Sequence, residues 1–347
     1  MTPSLERPTM GDGAVLDRII DAGWIPERML RMGIRTVCAL RLRQERRHGA
    51  GRLEALVAEL RDSEIAIETA AANQQHYEVP AAFFARVLGP HLKYSSCYWP
   101  KGVESLGAAE VAMLELTAER AGLADGQAVL DLGCGWGALT LWAAARYPRS
   151  RFTALSNSGT QRAHIAEQAK IRGLSNVIVR TADVRTVELA AGAFDRVVSI
   201  EMFEHMRNYQ ALLRRIAGWL APGGALFVHV FAHREHAYPF EDAGASDWMA
   251  RAFFTGGIMP STRLLHRFQD DLAIAHAWQL DGTHYARTAE AWYANLMMNR
   301  AAATAILGGR DKVERWRVFF LACAELFGFR DGHEWLVAHY LMTPRPG

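Results

Sequence analysis

Cysteine is scarce in this chain, and no two cysteines have the spacing of a metal site or a redox motif. Only four occur among 347 residues, at positions 38, 97, 134 and 323. Scattered cysteines exclude a disulfide framework and a structural zinc site, and they are typical of proteins in a reducing cytoplasm. We therefore expect a cytoplasmic protein that binds no metal.

Long apolar runs and an excess of one charge are also missing. No apolar run reaches the roughly 18 residues of a membrane-spanning helix, and the N-terminus is polar, so neither a transmembrane helix nor a signal peptide is predicted. The net charge of +2 gives no argument for a nucleic-acid partner or an anionic membrane. We expect a globular protein with no nucleic-acid partner and no stable membrane insertion; a homodimer is left open.

Short apolar runs alternate with helical segments from residue 108 onwards. Short buried strands joined by helices indicate an α/β fold with a mostly parallel sheet and right-handed crossovers. A further strand over 335–341 is expected to run antiparallel at the sheet edge. Parallel strands are predicted at 128–131, 152–155, 177–181, 196–200 and 225–230, with helices at 108–121, 138–146, 161–172 and 208–220 and a turn at 221–224.

A glycine-rich turn, DLGCGWG at 131–137, joins the first predicted strand to the next helix. Glycines let a ligand approach the backbone closely, and a helix start offers free N–H groups. The turn lacks the Lys-Ser/Thr pair of a phosphate-binding loop, and it has no third glycine at the spacing of a dinucleotide site. Such a turn is typical of methyltransferases, which hold the methionine part of S-adenosyl-L-methionine there. A tight turn that binds nothing is the alternative.

Polar residues follow the second and third predicted strands. Asn157 and Gln161 stand where nucleoside-binding sheets commonly carry an acidic residue for the ribose hydroxyls, and their amides can bond a ribose instead. Asp183 stands where a carboxylate can accept a hydrogen bond from an adenine amino group. Helix capping is the alternative interpretation for Asn157 and Asp183.

Two carboxylates and an imidazole follow the fourth predicted strand, in the segment EMFEH. If this segment forms a helical turn, Glu201, Glu204 and His205 share one face and point into the ligand crevice. Carboxylates attract an ammonium ion, and a nearby base removes its proton so that the free amine attacks the sulfonium methyl in line. A metal site and an ordinary charged surface helix are the alternatives, although no HExxH motif is present.

Six motifs follow one another along the chain: NQQHYEVP (73–80), LGPHLKYSSCYW (88–99), VLDLGCGWG (129–137), LSNSGTQ (155–161), SIEMFEHMRNY (199–209) and FFTGGIMPS (253–261). In this order they resemble those of the cyclopropane fatty acid synthase-like methyltransferases. Within that family the chain is most similar to the plant coclaurine N-methyltransferases and related benzylisoquinoline-alkaloid N-methyltransferases. The resemblance runs from about residue 50 to the C-terminus and implies a class I methyltransferase fold, Rossmann-like, with a mostly parallel seven-stranded sheet.

The resemblance covers two branches that use the crevice differently. Cyclopropane synthases add a methylene across a lipid double bond with a bound bicarbonate as base, held by a Cys, a Glu, a His after the fifth strand and a Tyr. Here Glu204 and His229 match, whereas Ser96 and Phe319-Phe320 replace the other two. Those enzymes also tend to have Gly where this chain has Glu201. An amine acceptor is therefore favoured; a cyclopropane synthase acting on unsaturated phospholipid is the alternative, and a binding-only protein a third.

The prediction is an S-adenosyl-L-methionine-dependent N-methyltransferase acting on a small aromatic or heterocyclic amine, such as a tetrahydroisoquinoline. The resemblance implies that Glu201 and Glu204 hold the ammonium and that His205 relays its proton. Cofactor contacts are expected at Tyr94, Ser95, Asp131, Gly133, Gly135, Asn157, Gln161, Asp183, Val184 and Ile200. Amine contacts are expected at Tyr77, Glu78, Glu201, Glu204, His229, Phe254 and Trp335.

The segments outside the α/β pattern are assigned to lids. Residues 1–107 are expected to form an N-terminal helical extension over cofactor and substrate, and 108–347 the catalytic domain. The extension is predicted to contain helices over 14–70, broken near Gly33 and Gly49–Gly51, a polar hinge at 73–78 and a helix at 80–88. An aromatic insert at about 233–307 is expected to cap the crevice, with helices at 288–307 and 311–327.

Overall fold

The computed structural model describes residues 11–49, 51–67, 79–241 and 248–345. The predicted polar hinge at 73–78, together with Tyr77 and Glu78, lies outside the described residues. The amine contacts proposed for those two side chains therefore stay predictions.

Helices and strands alternate after residue 106, as the apolar periodicity predicts. The α-helices are α1 (Gly11–Ala22), α2 (Glu27–His48), α3 (Gly51–Asp62), α4 (Ala81–Val87), α5 (Leu106–Ala121), α6 (Ala138–Arg146), α7 (Gly159–Ile171), α8 (Tyr209–Trp219), α9 (Trp248–Ala252), α10 (Gly282–Met298), α11 (Arg300–Leu307) and α12 (Arg310–Phe327). The strands are β1 (Ala128–Leu132), β2 (Arg151–Ser156), β3 (Val177–Thr181), β4 (Phe194–Ile200), β5 (Leu220–His233), β6 (Tyr238–Pro239), β7 (Ile258–Met259), β8 (Leu272–Leu280) and β9 (Trp335–Pro344).

The main sheet has seven strands in the order β3-β2-β1-β4-β5-β9-β8. Its first five strands are parallel, and β9 runs antiparallel to both β5 and β8. The predicted Rossmann-like, mostly parallel sheet is therefore confirmed. Because the carboxyl ends of the parallel strands meet at one edge, the segments that follow β1, β2, β3 and β4 face a common cleft.

The predicted place of the last strand at the sheet edge is wrong, because β8 lies outside β9 and forms that edge. The sequence of β8, LAIAHAWQL, contains three alanines, which have weak β propensity. Its buried and exposed residues do not alternate strictly, so the period-two signal of a strand is missing.

Two predicted helix boundaries are also corrected. Gly33 lies inside α2, where an added Cβ would meet no atom within 4 Å. A glycine costs only about 1 kcal/mol relative to alanine in a helix, and the buried Leu30 and Leu42 hold α2 in place around it. The helix predicted over 288–307 is divided at Asn299, which ends α10 and precedes α11.

The turn predicted at 221–224 is a bulge at the start of β5. The β4–β5 register shifts between Phe194 and Arg196, and Gly223 has a φ of 76°. A Cβ on Gly224 would lie 2.8 Å from the carbonyl oxygen of Ala221 and 3.0 Å from that of Phe194. The chain therefore passes from α8 into β5 without a separate loop.

An aromatic layer of helices covers one face of the sheet and walls the cleft. α4, α10 and α12 contribute Phe84, Trp292 and Trp316 to its core. The guanidinium of Arg31 in α2 ties the N-terminal helices to this layer, through Glu290 of α10 at 2.5 Å and Glu325 of α12 at 2.9 Å. The N-terminal helices are therefore anchored to the elements that border the site.

Candidate active site

The glycine turn after β1 leaves its backbone open to the cleft. The N–H groups of Gly133 and Cys134 both donate to the carbonyl oxygen of Leu155, at 3.0 Å, which holds the turn against β2. Gly133 has a φ of 82°, and its Cβ position lies 2.8 Å from Met202 Cγ. Gly135 has a φ of 52° and an added Cβ there would meet nothing within 4 Å. The open space at Gly135 is part of the cleft.

The cleft has two lobes that meet at the glycine turn. The first encloses about 800 Å³ and the second about 890 Å³, open mouths included. Gly133, Gly135, Gln161, Glu201 and His205 line both lobes. Of the other predicted cofactor residues, Asn157, Asp183 and Val184 line the first lobe, whereas Tyr94, Ser95, Asp131 and Ile200 line the second.

Asn157 and Asp183, two polar residues of the first lobe, differ in the local hydrogen bonds that they make. Ser158, rather than the exposed Asn157, caps α7, because its hydroxyl accepts from the Gln161 N–H at 3.3 Å. The capping interpretation of Asn157 is therefore wrong. Asp183 accepts from the Arg185 backbone N–H at 2.8 Å, and the Arg185 guanidinium holds the pKa of that carboxyl below its usual range.

Asp131 lies at the floor of the second lobe and is fully buried. The hydroxyl of Thr140 donates to its Oδ2 atom at 2.6 Å. Burial raises the pKa of Asp131 to about 6, because a carboxylate loses its hydration there and Thr140 compensates only in part. Asp131 is therefore a carboxyl whose charge depends on pH in the neutral to mildly acidic range.

Glu201 stands where β4 ends, in the left-handed backbone region at φ 47°. Its Oε1 accepts from the backbone N–H of Ser96 at 2.8 Å and lies 3.2 Å from His229 Nε2, and its Oε2 accepts from the Tyr285 hydroxyl at 2.7 Å. Burial raises the pKa of Glu201, and the nearby Lys93 opposes that rise. Glu201 is therefore a desolvated carboxyl, held by several donors, at the junction of the two lobes.

The helical turn expected to align all three candidate catalytic residues does not form. Only Phe203–His205 make a short 3₁₀ turn, and Glu201 precedes it. Glu204 is fully buried, with its Oε1 accepting from the Phe231 N–H at 2.7 Å, while its Oε2 meets no donor among the described residues. Burial, followed by the neighbouring Glu201, raises the pKa of Glu204 well above its ordinary value. Glu204 lies behind the lobe surface rather than on it.

His205 lies at the surface of both lobes. Its ring stacks on Phe254 with an interplanar angle of 13° and a centroid separation of 6.0 Å. Phe254, a predicted amine contact, lines the second lobe beside Phe231 and Phe319. The imidazole therefore meets the aromatic wall of this lobe.

Two further predicted amine contacts lie away from the lobe surface. Trp335 is completely buried in β9, where its indole N–H donates to the Tyr238 hydroxyl at 3.0 Å. His229 lies within β5, not after it, and is also completely buried; it reaches the cleft only through Glu201. The structure does not bring Trp335 to the cleft.

Sequence reasoning misses two polar residues of the second lobe. Lys93 is buried, and its ammonium donates to Ser95 Oγ and to the carbonyl oxygen of Ser96, both at 2.6 Å. Lys93 lies in the motif LGPHLKYSSCYW, and a lysine between Leu92 and Tyr94 is the sequence signal by which it could have been found. The sequence around Tyr285 gives no indication that it belongs to the site, because Tyr285 lies in α10 and its partner Glu201 is 84 residues away in the chain.

The two positions at which bicarbonate ligands are replaced carry groups with other roles. The Ser96 hydroxyl donates to the Cys97 carbonyl oxygen at 3.3 Å. Burial raises the pKa of the Cys97 thiol to about 12, so it is neutral. Phe319 lines the second lobe, and Phe320 is fully buried. Neither phenylalanine offers a hydroxyl.

Metal and membrane interpretations find no support in the described part of the chain. Among residues 11–49, 51–67, 79–241 and 248–345, no group of three His, Cys, Asp or Glu side chains could hold a metal ion. Over the same ranges, no helix has the length and apolar character needed to span a bilayer.

The parallel sheet, its glycine turn and the cleft at the carboxyl edge define a class I methyltransferase. The family model described as mycolic acid cyclopropane synthetase matches residues 65–335. The chain belongs to this family, which confirms the resemblance inferred from its motifs.

Relatives and solved structures agree with this membership. The chain is 40% identical to (S)-coclaurine N-methyltransferase of Thalictrum flavum subsp. glaucum, over 84% of this chain and 83% of that one. It is 36% identical to the enzyme of the same name from Papaver somniferum, over 94% and 97%. A crystal structure of coclaurine N-methyltransferase bound to N-methylheliamine and SAH superposes with a TM-score of 0.91, at 37% identity, covering 95% and 99%.

Proposed function

We propose that this chain is an S-adenosyl-L-methionine-dependent N-methyltransferase whose acceptor is a small aromatic or heterocyclic amine of the tetrahydroisoquinoline type. The observation that carries the proposal is Glu201, a carboxyl at the junction of the two lobes, facing an aromatic wall. The similar enzymes are named as amine methyltransferases, and one of them is solved with an N-methylated amine.

The cleft fits S-adenosyl-L-methionine, which supplies a methyl group activated on a positively charged sulfur. Gly135 fits it because an added Cβ would project into the cleft, where no protein atom lies within 4 Å. We assign the first lobe, with Asn157, Asp183 and Val184, to the adenosine part. The second lobe, with Ser95 and Asp131, receives the methionine part, and its outer aromatic portion receives the amine.

The amine enters as an ammonium ion and is held by charge and by aromatic faces. The carboxylate of Glu201 provides the opposite charge. Tyr94, Phe254 and Phe319 line the same lobe, and aromatic faces attract cations by roughly 0.5–2 kcal/mol each. An aromatic amine therefore gains both apolar burial and an ion pair in this lobe.

Methyl transfer requires that the ammonium first lose a proton. His205 lines both lobes and is placed to take it, and burial raises the pKa of the adjacent Glu204 towards that of a base. The freed nitrogen lone pair forms the bond to the methyl carbon while the sulfur–methyl bond breaks and its electron pair stays on sulfur. The proton remains on the protein until it passes to water.

A methyl-transfer screen tests this function. The protein is incubated with methyl-deuterated S-adenosyl-L-methionine and either tetrahydroisoquinolines or vesicles of unsaturated phospholipid, and products are identified by mass. We expect an N-methylated amine, at a rate that does not change when bicarbonate is depleted. Cyclopropane formation in the lipid, or a strict bicarbonate requirement, would place the chain in the other branch.

The predicted organisation and location belong to the same proposal. We infer that residues 1–107 and the insert at about 233–307 act as lids on the catalytic domain, which is supported by Tyr94 and Phe254, one from each segment, lining the second lobe. A cytoplasmic location stays a prediction from the sequence, and a homodimer stays open.

A further inference from the structure

Behind Glu201 lies a row of side chains that the proposed chemistry does not use. His229 Nε2 lies 3.2 Å from Glu201 Oε1, and His229 Nδ1 lies 2.9 Å from His339 Nε2. His339 Nδ1 lies 2.8 Å from Arg120 Nη1. Arg120, His339 and His229 together form the relay. It connects the lobe junction to a guanidinium on the far side of two fully buried rings.

The sheet register fixes this row. His229 of β5 is directly paired with His339 of β9, and His339 is paired with Trp278 of β8. Arg120 projects from α5, with its guanidinium carbon 5.0 Å from the centre of the Trp278 ring. Because the ladder holds the two histidine backbones side by side, their rings meet with centroids 4.5 Å apart.

Arg120 stands at the outer end of the relay and can only donate hydrogen bonds. Its guanidinium therefore determines which ring nitrogen of each histidine carries the proton. A guanidinium only donates hydrogen bonds, so His339 Nδ1 accepts. A neutral imidazole carries one N–H, which places the His339 proton on Nε2, from where it donates to His229 Nδ1. The His229 proton then lies on Nε2 and donates to Glu201 Oε1. Burial keeps the pKa of both histidines well below its ordinary value, so both rings are neutral.

We propose that Arg120 and His339 are positioning residues that fix the His229 tautomer and thereby hold Glu201 as the carboxylate that attracts the ammonium. With His229 Nδ1 occupied by a donor, His229 can only donate towards Glu201. Without that donor, the opposite arrangement becomes accessible, with a proton on Nδ1 and a protonated Glu201 donating to Nε2. The proposal rests on the proposed function, because it assigns the charge of Glu201 to amine binding.

The carboxyl of Glu201 is desolvated. Burial raises its pKa, whereas Lys93, the backbone N–H of Ser96 and the Tyr285 hydroxyl lower it again. Ionisable groups from every packed element face this carboxyl: Lys93 and Cys97 before α5, Glu204 and His205 in its own turn, His229 in β5, Tyr285 in α10 and Cys323 in α12. Within this set, His229 is the group that the relay links to a permanent charge, the guanidinium of Arg120.

Nuclear magnetic resonance of the ligand-free protein tests the relay without any activity. Histidine labelled with ¹⁵N reports which ring nitrogen carries the proton, and His229 and His339 are assigned by their absence in single variants. We expect the Nε2–H form for both rings between about pH 6 and pH 8. A proton on His339 Nδ1, or a charged ring at either position, overturns the proposal.

Matched variants test its effect on Glu201. His339→Leu removes both hydrogen bonds, whereas the amide of His339→Gln can still donate to His229 Nδ1. Arg120→Met tests the outer end at a partly buried position, should His339→Leu not fold. His276→Leu, at an exposed histidine of β8, is the control.

The acid limb of the pH profile of kcat/KM for the amine should move up by about one pH unit in His339→Leu and Arg120→Met. At a fixed pH on that limb this is a tenfold loss of kcat/KM. His339→Gln and the control should stay close to the parent.

The titration of ¹³C-carboxyl-labelled glutamate in the same variants gives the pKa of Glu201 without an amine. Unchanged Glu201 titration in folded His339→Leu and Arg120→Met refutes the proposal. A protein that methylates no amine but shows the shifted titration would refute the proposed function and retain the relay. A uniform loss of kcat in His339→Leu with no movement of either pH profile would show that the histidine is only structural.

Discussion

At the scale of single residues, Gly135 is where the backbone of this chain meets the cofactor cleft. Its φ of 52° and the empty space around its Cβ position distinguish it from Gly133 and Gly137, whose Cβ atoms would meet neighbouring side chains. Of these three glycines, only Gly135 could be replaced by a residue whose side chain enters the cleft without displacing a neighbouring side chain.

Gly135→Val should abolish S-adenosyl-L-methionine binding while leaving the protein folded. Valine at positive φ is strained by about 1–2 kcal/mol, so the matched control is Gly173→Val, at φ 66° and equally unobstructed. Isothermal titration calorimetry of both variants separates blocked binding from backbone strain. Normal affinity in a folded Gly135→Val would disprove the assignment of the glycine turn.

His205→Ala should lower kcat by roughly 10²-fold or more, the ordinary contribution of a positioned base. The defect should shrink as pH rises towards the pKa of the amine, because free amine then forms without help from the protein. The measurement is kcat from about pH 7 to pH 10, with the exposed His266→Ala as control. A defect that is constant over this range means that His205 positions the amine or the turn and removes no proton.

Asp131 predicts how stability depends on pH in the ligand-free protein. Its folded-state pKa is raised to about 6 from an unfolded value of 3.8, so the folded state binds more protons between these values. The free energy of unfolding therefore loses a contribution as pH rises through this window. Relative to the parent, Asp131→Asn should gain about 2 kcal/mol between pH 4 and pH 7, for a shift of roughly 2 units.

Urea unfolding at a series of pH values measures this difference. Asp125→Asn is the control, since the pKa of the half-buried Asp125 is lowered by Arg149 and its effect has the opposite sign. A parent and an Asp131→Asn variant with parallel pH profiles would show that Asp131 ionises freely in the folded protein.

At the scale of elements, the bulge at the start of β5 is a site where added atoms have no room. Gly224→Ala places a Cβ 2.8 Å from a backbone oxygen, which cannot move without disturbing β4. We expect it to destabilise the protein by about 1–3 kcal/mol, as overpacking does elsewhere. Gly218→Ala, six residues earlier in α8 with nothing within 4 Å, should stabilise it by up to about 1 kcal/mol. Thermal unfolding of the pair should show shifts of opposite sign.

The elements that the sequence predicts are those with a local signal. The five parallel strands appear as short apolar runs separated by helices, and the glycine turn is recognisable by its residues alone. β8 is missed because its side chains lack strict alternation. The division at Asn299 is missed because apolar residues continue across it.

The site is predictable to the same extent. All ten predicted cofactor residues line the two lobes. Eight of them lie at or just after the carboxyl ends of strands β1–β4, which the sequence predicts, whereas Tyr94 and Ser95 come from the motif LGPHLKYSSCYW. Tyr285 and the pair Arg120–His339 could not be found in this way, because sheet and helix packing bring together residues 84 and 219 positions apart. Buried Trp335 shows the converse, because a side chain predicted to contact the amine belongs to the core instead of the cleft.

At the scale of the whole molecule, the N-terminal helices depend on a few charged contacts with the aromatic layer. Arg31 is bound by Glu27, Glu290 and Glu325, and Glu325 also binds Arg35. Because Glu325 is nearly buried, removing Arg31 leaves it poorly compensated.

Arg31→Met should loosen α1 and α2 before the sheet is affected. We expect hydrogen-exchange protection in these two helices to fall by about 1–3 kcal/mol, the range for charged hydrogen bonds, with β1–β5 unchanged. Arg28→Met, on the exposed side of α2, should alter neither. An equal loss of protection in helices and sheet would show that the N-terminal helices unfold only with the whole chain.

The left-handed backbone at Glu201 has a consequence for what a mutation there does to the loop. A φ of 47° suits glycine and disfavours any residue with a Cβ by about 1–2 kcal/mol. The carboxylate is therefore held against the conformational preference of its own main chain. Since Glu and Gly codons differ by a single base, one mutational step can remove the charge and relieve the backbone strain at the same time.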